Sequence, residues 1–503
     1  MTSPDLSEIQ PAESILAATE AGNLSLGKRV RAGLNWILSS ALLGEVIRLV
    51  RSVVLARMLL PEDFGLFGMA LTIAAALNAL TTIGLSQTVV SYKFESDTEL
   101  KAHLDTAWSA ELVRSLVIAL LLAVSAFPMA RFYRQQELKL IIPVLALVSF
   151  ISGFQNIGLT ILRKQISFAR IFWYELATNV IGFSLTVGLA FIMRSVWALV
   201  LGLLLTAVIS TILSYVFHSY RPRFAFEKSA LRRAAHLGKF TIVIAIAAYV
   251  MNMADNVMVG RLLGTSALGN YSLAFNIASA PFSVLIAALS TVLFPAYAEI
   301  TAENLDRLRR AFLKVFEIAT FLLMLAAVPL FLLADQLVLV LFGKRWADAG
   351  AVLPILALII PLRGLAQIIS TVFVATNRPK QVTIGRLLEA TVFLVALYPL
   401  LTVLGMIGAA WAGLIAYAVA CVNRVVALNR IIPGITIKLL RISTATLTAA
   451  AIGLVLANFS LRFVTSPLSQ LAIGGAISTA VPAALLLLFQ TDLRKWTIEW
   501  FSF

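Results

Sequence analysis

A charged side chain in the middle of a membrane helix costs about 2.5–3.5 kcal/mol on insertion scales, so it persists where it meets a partner, a cavity or a ligand. This chain places several inside long apolar runs: Glu45, Arg48 and Arg51 in one, then Glu111 with Arg114, Glu175, Asp255, Glu317, Arg363, and Arg386 with Glu389. A guanidinium keeps its charge when desolvated and matches phosphate oxygens with a planar fork. Arg48 and Arg363 are therefore the expected contacts for a phosphate or acidic-sugar group, and Pro361 bares backbone beside Arg363. The other reading of these two arginines is a buried ion pair with Glu317 or Glu389. Gln155, Asn252 and Asn256 are the expected cavity contacts for hydroxyl groups, although such residues also join helices to one another.

Four more charges suggest moving parts. Arg51 and Asp255 occupy equivalent places in a duplicated segment, and are expected to meet when one face of the molecule closes and to separate when it opens. Glu175 and Glu389 form a second such pair near the opposite face, as a gate or as anchors to Arg170 and Arg386. The spacings Glu45 to Arg48 and Glu111 to Arg114 also permit neutralisation within one helix.

Catalytic chemistry has no comparable set of residues. There is no G-x-x-x-x-G-K-[ST] loop for nucleotide phosphates and no CxxC pair, and His103, His218 and His236 are scattered. Cys421 is the single cysteine. The sequence therefore predicts no catalytic residue, no metal site and no cofactor.

The elements that hold these charges follow from composition. The chain of 503 residues is 60% hydrophobic and 13% charged, with a mean hydropathy of +0.93, outside the range of water-soluble domains. Apolar runs of about 20 residues, each able to cross a hydrocarbon core of about 30 Å, succeed one another between residues 33 and 490. About fourteen are expected, giving an all-α polytopic membrane protein. Val53 to Ile73 reappears as Val257 to Ile277, 204 positions on, with Arg57, Leu59, Gly65, Ala70 and Ile73 recurring as Arg261, Leu263, Gly269, Ala274 and Ile277. The chain is internally duplicated, as membrane transporters commonly are.

An even number of spans puts both termini on one side. Most of the 40 lysines and arginines fall on the side that holds the termini, which the positive-inside rule makes cytoplasmic. The expected divisions are a polar tail at 1–32, six helices over 33–217, a linker at 218–238 with a short amphipathic helix, six helices over 239–430, and two more helices with a tail over 431–503. The net charge of +15 reads as topology and attraction to anionic lipid heads. No basic stripe with interleaved aromatics supports nucleic-acid binding.

The segments "VVLARMLLPEDFGLFGMA", "ADNVMVGRLLGTSALGNYSLAFNI", "FPAYAEITAENLDRLRRAF" and "LFGKRWADAGAVLPILAL" resemble the bacterial polysaccharide transporter family. These are the Wzx-type lipid-linked oligosaccharide flippases, in a superfamily shared with multidrug and toxin extrusion antiporters and the lipid II flippase. The resemblance runs from about Gly33 to Arg430 and is most specific at Asp255 to Gly269 and Gly343 to Trp346. It implies two six-helix lobes around a central cavity, with the last two helices outside them. It also implies an undecaprenyl-diphosphate-linked repeat unit as cargo, moved across the bacterial inner membrane by alternating access. The expected partners are that substrate, membrane lipids, and the polysaccharide polymerase and export machinery. The alternatives from the same superfamily are a cation-coupled small-molecule antiporter and a lipid II flippase. Trp346, beside Lys344 and Arg345, is the aromatic expected to touch emerging substrate, while Arg57 and Arg261 are expected to reach lipid phosphates.

Overall fold

The computed structural model describes residues 26–81, 96–165, 167–301 and 305–489. In chain order these form α1 (Leu26–Met58), α2 (Pro61–Thr81), α3 (Asp97–Tyr133), α4 (Leu138–Ser152), α5 (Gly158–Lys164), α6 (Phe168–Met193), α7 (Val196–Phe217), α8 (Lys228–Leu263) and α9 (Thr265–Thr301). They continue with α10 (Leu305–Leu332), α11 (Ala334–Leu341), a 3-10 turn (Lys344–Trp346), α12 (Ala347–Ala375), α13 (Pro379–Leu404), α14 (Met406–Asn429), α15 (Ile435–Leu461) and α16 (Pro467–Phe489). No strand occurs among the described residues. Ten of these helices are long and apolar enough to cross a membrane, by length and composition. The protein is a multi-pass, all-helical membrane protein.

The duplicated segment forms the middle of the molecule. Each copy ends one helix in an arginine, turns, and opens the next helix at Pro61 or Thr265. Asp63 accepts a hydrogen bond from the Leu60 N–H (2.9 Å) and, with Glu62, places negative charge at the N-terminus of α2. In the second copy the turn is made by Gly264, at φ +90°, a conformation side chains rarely adopt. The openings of α2 and α9 then cross reciprocally. A methyl group on Gly65 would overlap the Thr265 carbonyl, and one on Gly269 would overlap the Pro61 carbonyl. Both glycines are buried, so the 204-residue repeat becomes a twofold-like contact of backbone on backbone.

Around this crossing α1 packs on α6 and α9, and α2 packs on α3, α8 and α9. In the second half α9 packs on α12, and α13 and α14 form a hairpin packed on α12 and α8. Helices α15 and α16 pair with one another and lie against α10. The largest apolar core joins residues of both halves, from Ala56, Met69 and Tyr133 to Leu268, Leu353 and Tyr417.

The structure revises three local expectations. The fourth apolar run is not one helix, because the chain breaks after Gly153, whose α-carbon leaves no room for a side chain beside Ser115. Asn156 fixes the break: its Nδ2 donates to the carbonyls of His218 (3.2 Å) and Tyr220 (2.7 Å), and its Oδ1 accepts from Gly158 N–H (2.9 Å).

The linker contains no separate amphipathic helix. Residues 218–227 run without regular structure, and α8 continues unbroken from Lys228 to Leu263. The strap is held by side chains of α3. Asp105 accepts from Tyr220 Oη (2.7 Å) and Arg223 N–H (2.8 Å), Ser109 Oγ from Ala225 N–H (2.9 Å), and Thr106 Oγ1 from Glu227 N–H (3.1 Å). Those donors would otherwise need a helix to satisfy them. Burial, and then Arg170 and Arg221, hold the His218 imidazole below its ordinary pKa. Its Nδ1 accepts from Tyr220 N–H (3.0 Å).

The third revision concerns Arg57 and Trp346. Arg57 reaches back to protein: its Nε donates to the Leu341 carbonyl (2.8 Å) and its Nη2 to the Val340 carbonyl. Trp346 is fully buried, and its Nε1 donates to the Ala56 carbonyl (2.9 Å). It is part of the packing between the halves.

Replacing Asp105 with Ala removes the acceptor for two of the strap's donors. Cleavage of membrane vesicles by trypsin after Arg223 should then accelerate roughly tenfold, as expected for losing one or two hydrogen bonds to a charged group. An unchanged cleavage rate would show that the strap is held by other means.

Candidate substrate cavity

A cavity of about 530 Å³ lies between α1, α6 and α9. Its α1 wall carries Trp36, Ser40, Gly44, Glu45, Arg48 and Arg51, and its α6 wall Phe168, Phe172, Glu175 and Asn179. Steps of three and four residues put each set on one helix face. Ser283 closes it from α9 in the second half of the chain.

Most polar groups here are already engaged. Arg48 Nη2 donates to Glu45 Oε1 at 2.9 Å, an in-helix pair, and Ser283 Oγ donates to the same oxygen. Ser40 Oγ donates to Glu175 (2.6 Å). Trp36 and Phe172 pack with their rings tilted by 55° and 5.0 Å between ring centres. Arg51 differs. It lines the cavity half-buried, and among the described residues no carboxylate lies within ion-pair distance of it. Its charged neighbour is Arg48, one turn away. Two guanidiniums on the α1 wall are matched in number by two carboxylates, Glu45 bound to Arg48 and Glu175 on the α6 wall bound to Ser40, and among the described residues Arg51 is left without a direct ion pair.

Asp255 does not meet Arg51. It is 3% exposed and accepts from Tyr271 Oη (2.7 Å) and the Asn256 N–H (2.8 Å). With Tyr271, Arg363, Tyr417 and Phe282 it lines a separate small cavity of about 30 Å³ inside the second half. Arg363 belongs to this small cavity as well. Its Nη2 donates to Asn252 Oδ1 (3.2 Å) and its guanidinium stacks 4.2 Å over the Phe282 ring. The two repeat mates diverge because α8 turns Asp255 toward Tyr271 of the adjoining α9, whereas α1 turns Arg51 into the open cavity.

The remaining expected contacts scatter. Gln155 Nε2 donates to Ser210 Oγ (3.1 Å), joining the α4–α5 break to α7. Asn256 Nδ2 lies 3.7 Å from Met253 Sδ on its own helix. Neither residue lines the two cavities. Glu175 faces the large cavity. Glu389, with no exposed surface, sits between Arg424 (2.7 Å) and Arg386 (3.3 Å), and Arg386 also donates to Gln367 Oε1 (3.0 Å). It ties α13 to α12 and α14. Glu111 and Arg114 pair within α3, and Arg114 extends to Asn78 (3.2 Å) and Thr81 (3.3 Å) of α2.

Sequence reasoning missed Ser40, Ser283, Tyr271 and Arg424. Arg424 had a usable signal, a cation within an apolar run whose hairpin partner holds Glu389. The serines had none.

With this geometry in place, residues 54–351 match a family described as polysaccharide biosynthesis protein. The chain belongs to that family. Among its relatives is the succinoglycan biosynthesis transport protein ExoT of Rhizobium meliloti, 29% identical over 66% of each chain, just under two thirds of that protein's length. Another is the lipopolysaccharide biosynthesis protein WzxC of Escherichia coli, 24% identical over 71% of this chain and 72% of its own. Among solved structures, the lipid II flippase MurJ in an inward closed conformation superposes with a TM-score of 0.72 at 15% identity. That match covers 91% of this chain and 99% of MurJ. An inward-facing multidrug resistance MATE transporter gives 0.62 at 15% identity over 84% and 99%. The family member described here thus has the MurJ and MATE transporter fold.

Two predictions separate the locked charges from the available one. Replacing Arg424 with Met strands part of the Glu389 charge in the interior and should cost about 3–5 kcal/mol of stability. Combining it with Glu389→Gln should recover much of that, read as the unfolding midpoint in detergent. Because Arg51 and Asp255 face different cavities, the effects of Arg51→Gln and Asp255→Asn on transport should add to within about 0.5 kcal/mol. Strong coupling in the double variant would restore a direct pair.

Proposed function

We propose that this protein is a flippase that moves undecaprenyl-diphosphate-linked oligosaccharide repeat units across the bacterial inner membrane by alternating access, for surface or exopolysaccharide synthesis. The observation that carries this reading is Arg51 beside Arg48 on the wall of the large cavity, a guanidinium with no carboxylate within ion-pair distance among the described residues. Buried cations in spanning helices mark substrate paths when no partner balances them, and a diphosphate offers the oxygens that a guanidinium fork binds.

The rest of the cavity suits a glycan. Trp36 and Phe172 offer ring faces, and Ser40, Glu175 and Asn179 offer hydrogen-bonding groups along one side. Its volume falls in the usual range for small-molecule sites, about 300–1,000 Å³, enough for a diphosphate and its first sugar. In this reading Arg48 and Arg51 hold the head group, while Arg363, Asn252 and Asp255 brace the second half. The fourteen spans form two six-helix lobes and a C-terminal pair, with both termini cytoplasmic. The relatives named for succinoglycan transport and lipopolysaccharide biosynthesis support a polysaccharide precursor as cargo.

Arg51→Gln should slow export about ten- to hundredfold, the equivalent of one charge-assisted hydrogen bond, with normal amounts of protein in the membrane. Lipid-linked repeat units should then accumulate in the cytoplasmic leaflet. Arg48→Gln should have a smaller effect, since Arg48 already spends one arm on Glu45. Normal export in Arg51→Gln would take the anion out of this cavity.

A further inference from the structure

The segment Gly343 to Trp346 and the arginine that ends α1 lie outside the cavity, yet they join the halves across more than 280 residues of chain. The transport reading makes no use of them. Arg57 caps α11: its two hydrogen bonds go to the carbonyls of Val340 and Leu341, in the last turn of that helix. Such carbonyls lack partners within the helix and carry its negative end. Gly343, at φ +96°, is the bend that turns the chain from α11 back toward α1, and a side chain there would crowd Arg57 Nη1.

Three residues later Trp346 returns the contact. Its Nε1 donates to Ala56, the residue before Arg57, and its ring meets Phe64 of α2 edge-on at 5.0 Å. The two donors therefore point in opposite directions across one boundary. Arg57 donates from the first half to the second, and Trp346 from the second to the first. The repeat mate of Arg57 takes up a similar place with weaker geometry, as Arg261 stands 5.5 Å over Phe132 near the end of α3. All of these contacts lie beside the crossing of α2 and α9 at Gly65 and Gly269, beyond the cavity-lining stretch of α1 that ends at Arg51.

We propose that Arg57, Gly343 and Trp346 form a latch that holds this face of the transporter shut, and that the latch must release once in each transport cycle. Substrate leaving the cavity past the C-terminal end of α1 has to part α1 and α2 from α11 and α12, and these hydrogen bonds cross that seam. Water can replace the Arg57 and Trp346 hydrogen bonds when the seam opens at the membrane surface, while the Trp346 ring, buried against Phe64, supplies the apolar cost that keeps the seam shut. The G-K-R-W segment is thus a gate element, and Trp346 never needs to touch the cargo. On the proposed orientation the latched face is extracytoplasmic. That orientation rests on the flippase reading, whereas the latch itself can be measured without substrate.

The test uses the full-length protein with Cys421→Ser, and with Asn179→Cys as a reporter inside the cavity. A membrane-impermeant maleimide is added to spheroplasts or to inverted membrane vesicles. With the latch intact, labelling from the spheroplast side should be slow. Arg57→Ala and Trp346→Phe should each raise it roughly tenfold and lower labelling from the vesicle side, the signature of a shifted equilibrium between two states. Arg57→Lys, which cannot span both carbonyls, should fall between. Gly343→Ala provides a second route that leaves both donors in place, and Arg345→Ala, one exposed residue away, should change nothing. Unchanged labelling in Arg57→Ala and Trp346→Phe, with the protein correctly inserted, would overturn the latch, as would a rise from the vesicle side. Because the maleimide reads the gate alone, a failed latch leaves the export defect of Arg51→Gln standing. Likewise, a failed export prediction leaves the latch standing.

Discussion

The arrangement depends on one close approach of backbone to backbone. The N-terminal turns of α2 and α9 can cross only because Gly65 and Gly269 carry no side chain, and each presses against the first residue of the opposite helix. Small residues are the usual means of bringing helices close where lipid supplies no hydrophobic drive for association. Here the means is used twice, at equivalent positions of a duplicated segment, so the two halves meet across a twofold-like seam. Everything that joins the halves at this end is arranged around that seam: Trp346 on Ala56, Arg57 on the end of α11, and Arg261 over Phe132. The cavity begins where the helices, no longer pinned, diverge.

Burying charge in a membrane helix is costly, and the protein meets that cost in two different ways. In the second half the charges are closed into networks. Glu389 is held by Arg424 and Arg386, Arg386 extends to Gln367, and Asp255 is held by Tyr271 beside an Arg363 that is itself occupied by Asn252 and Phe282. Removing one member of such a network exposes the desolvation penalty of the others. In the first half the balance is left incomplete. Glu45 neutralises Arg48 and nothing described neutralises Arg51. The second half thus holds its buried charges in partnered groups, while Arg51 of the first half faces the cavity without an ion pair among the described residues.

How far this was legible in the sequence varies with the range of the interaction. Hydropathy gave the all-helical membrane class, and the repeat from Val53 to Ile73 gave the duplication, because both depend on residues near one another in the chain. The in-helix pair Glu45–Arg48 was legible for the same reason. Partners on other helices were not. Asp255 faces Tyr271 because of how α8 rotates against α9, and no spacing rule reports that rotation. Arg363 was legible as a buried cation, yet the cavity it faces is set by the packing of α12 against α9 and α14. Gln155 was misplaced because the break after Gly153 redirects it toward Ser210, and that break is fixed by Asn156 bonding to a strap more than sixty residues away. The strap was misread for a related reason. Its alternation of aromatic and basic residues suits a helix at a membrane surface, but Asp105, Thr106 and Ser109 satisfy its backbone and no helix forms.

The repeat also shows how a symmetric ancestor can yield an asymmetric cavity with few changes. Residues that keep their identity in both copies, Arg57 with Arg261 and Gly65 with Gly269, lie at the seam, where both copies need the same geometry. Residues that differ lie one or two turns deeper. Arg48 and Arg51 of the first copy correspond to Asn252 and Asp255 of the second. An arginine pair in both copies would leave four guanidiniums in the interior with few carboxylates to balance them, and like charges in a low-dielectric interior repel strongly. The second copy instead carries an amide and an acid, which engage Arg363 and Tyr271 and leave no net demand for a ligand. The arginines that line the cavity thus both come from the first half.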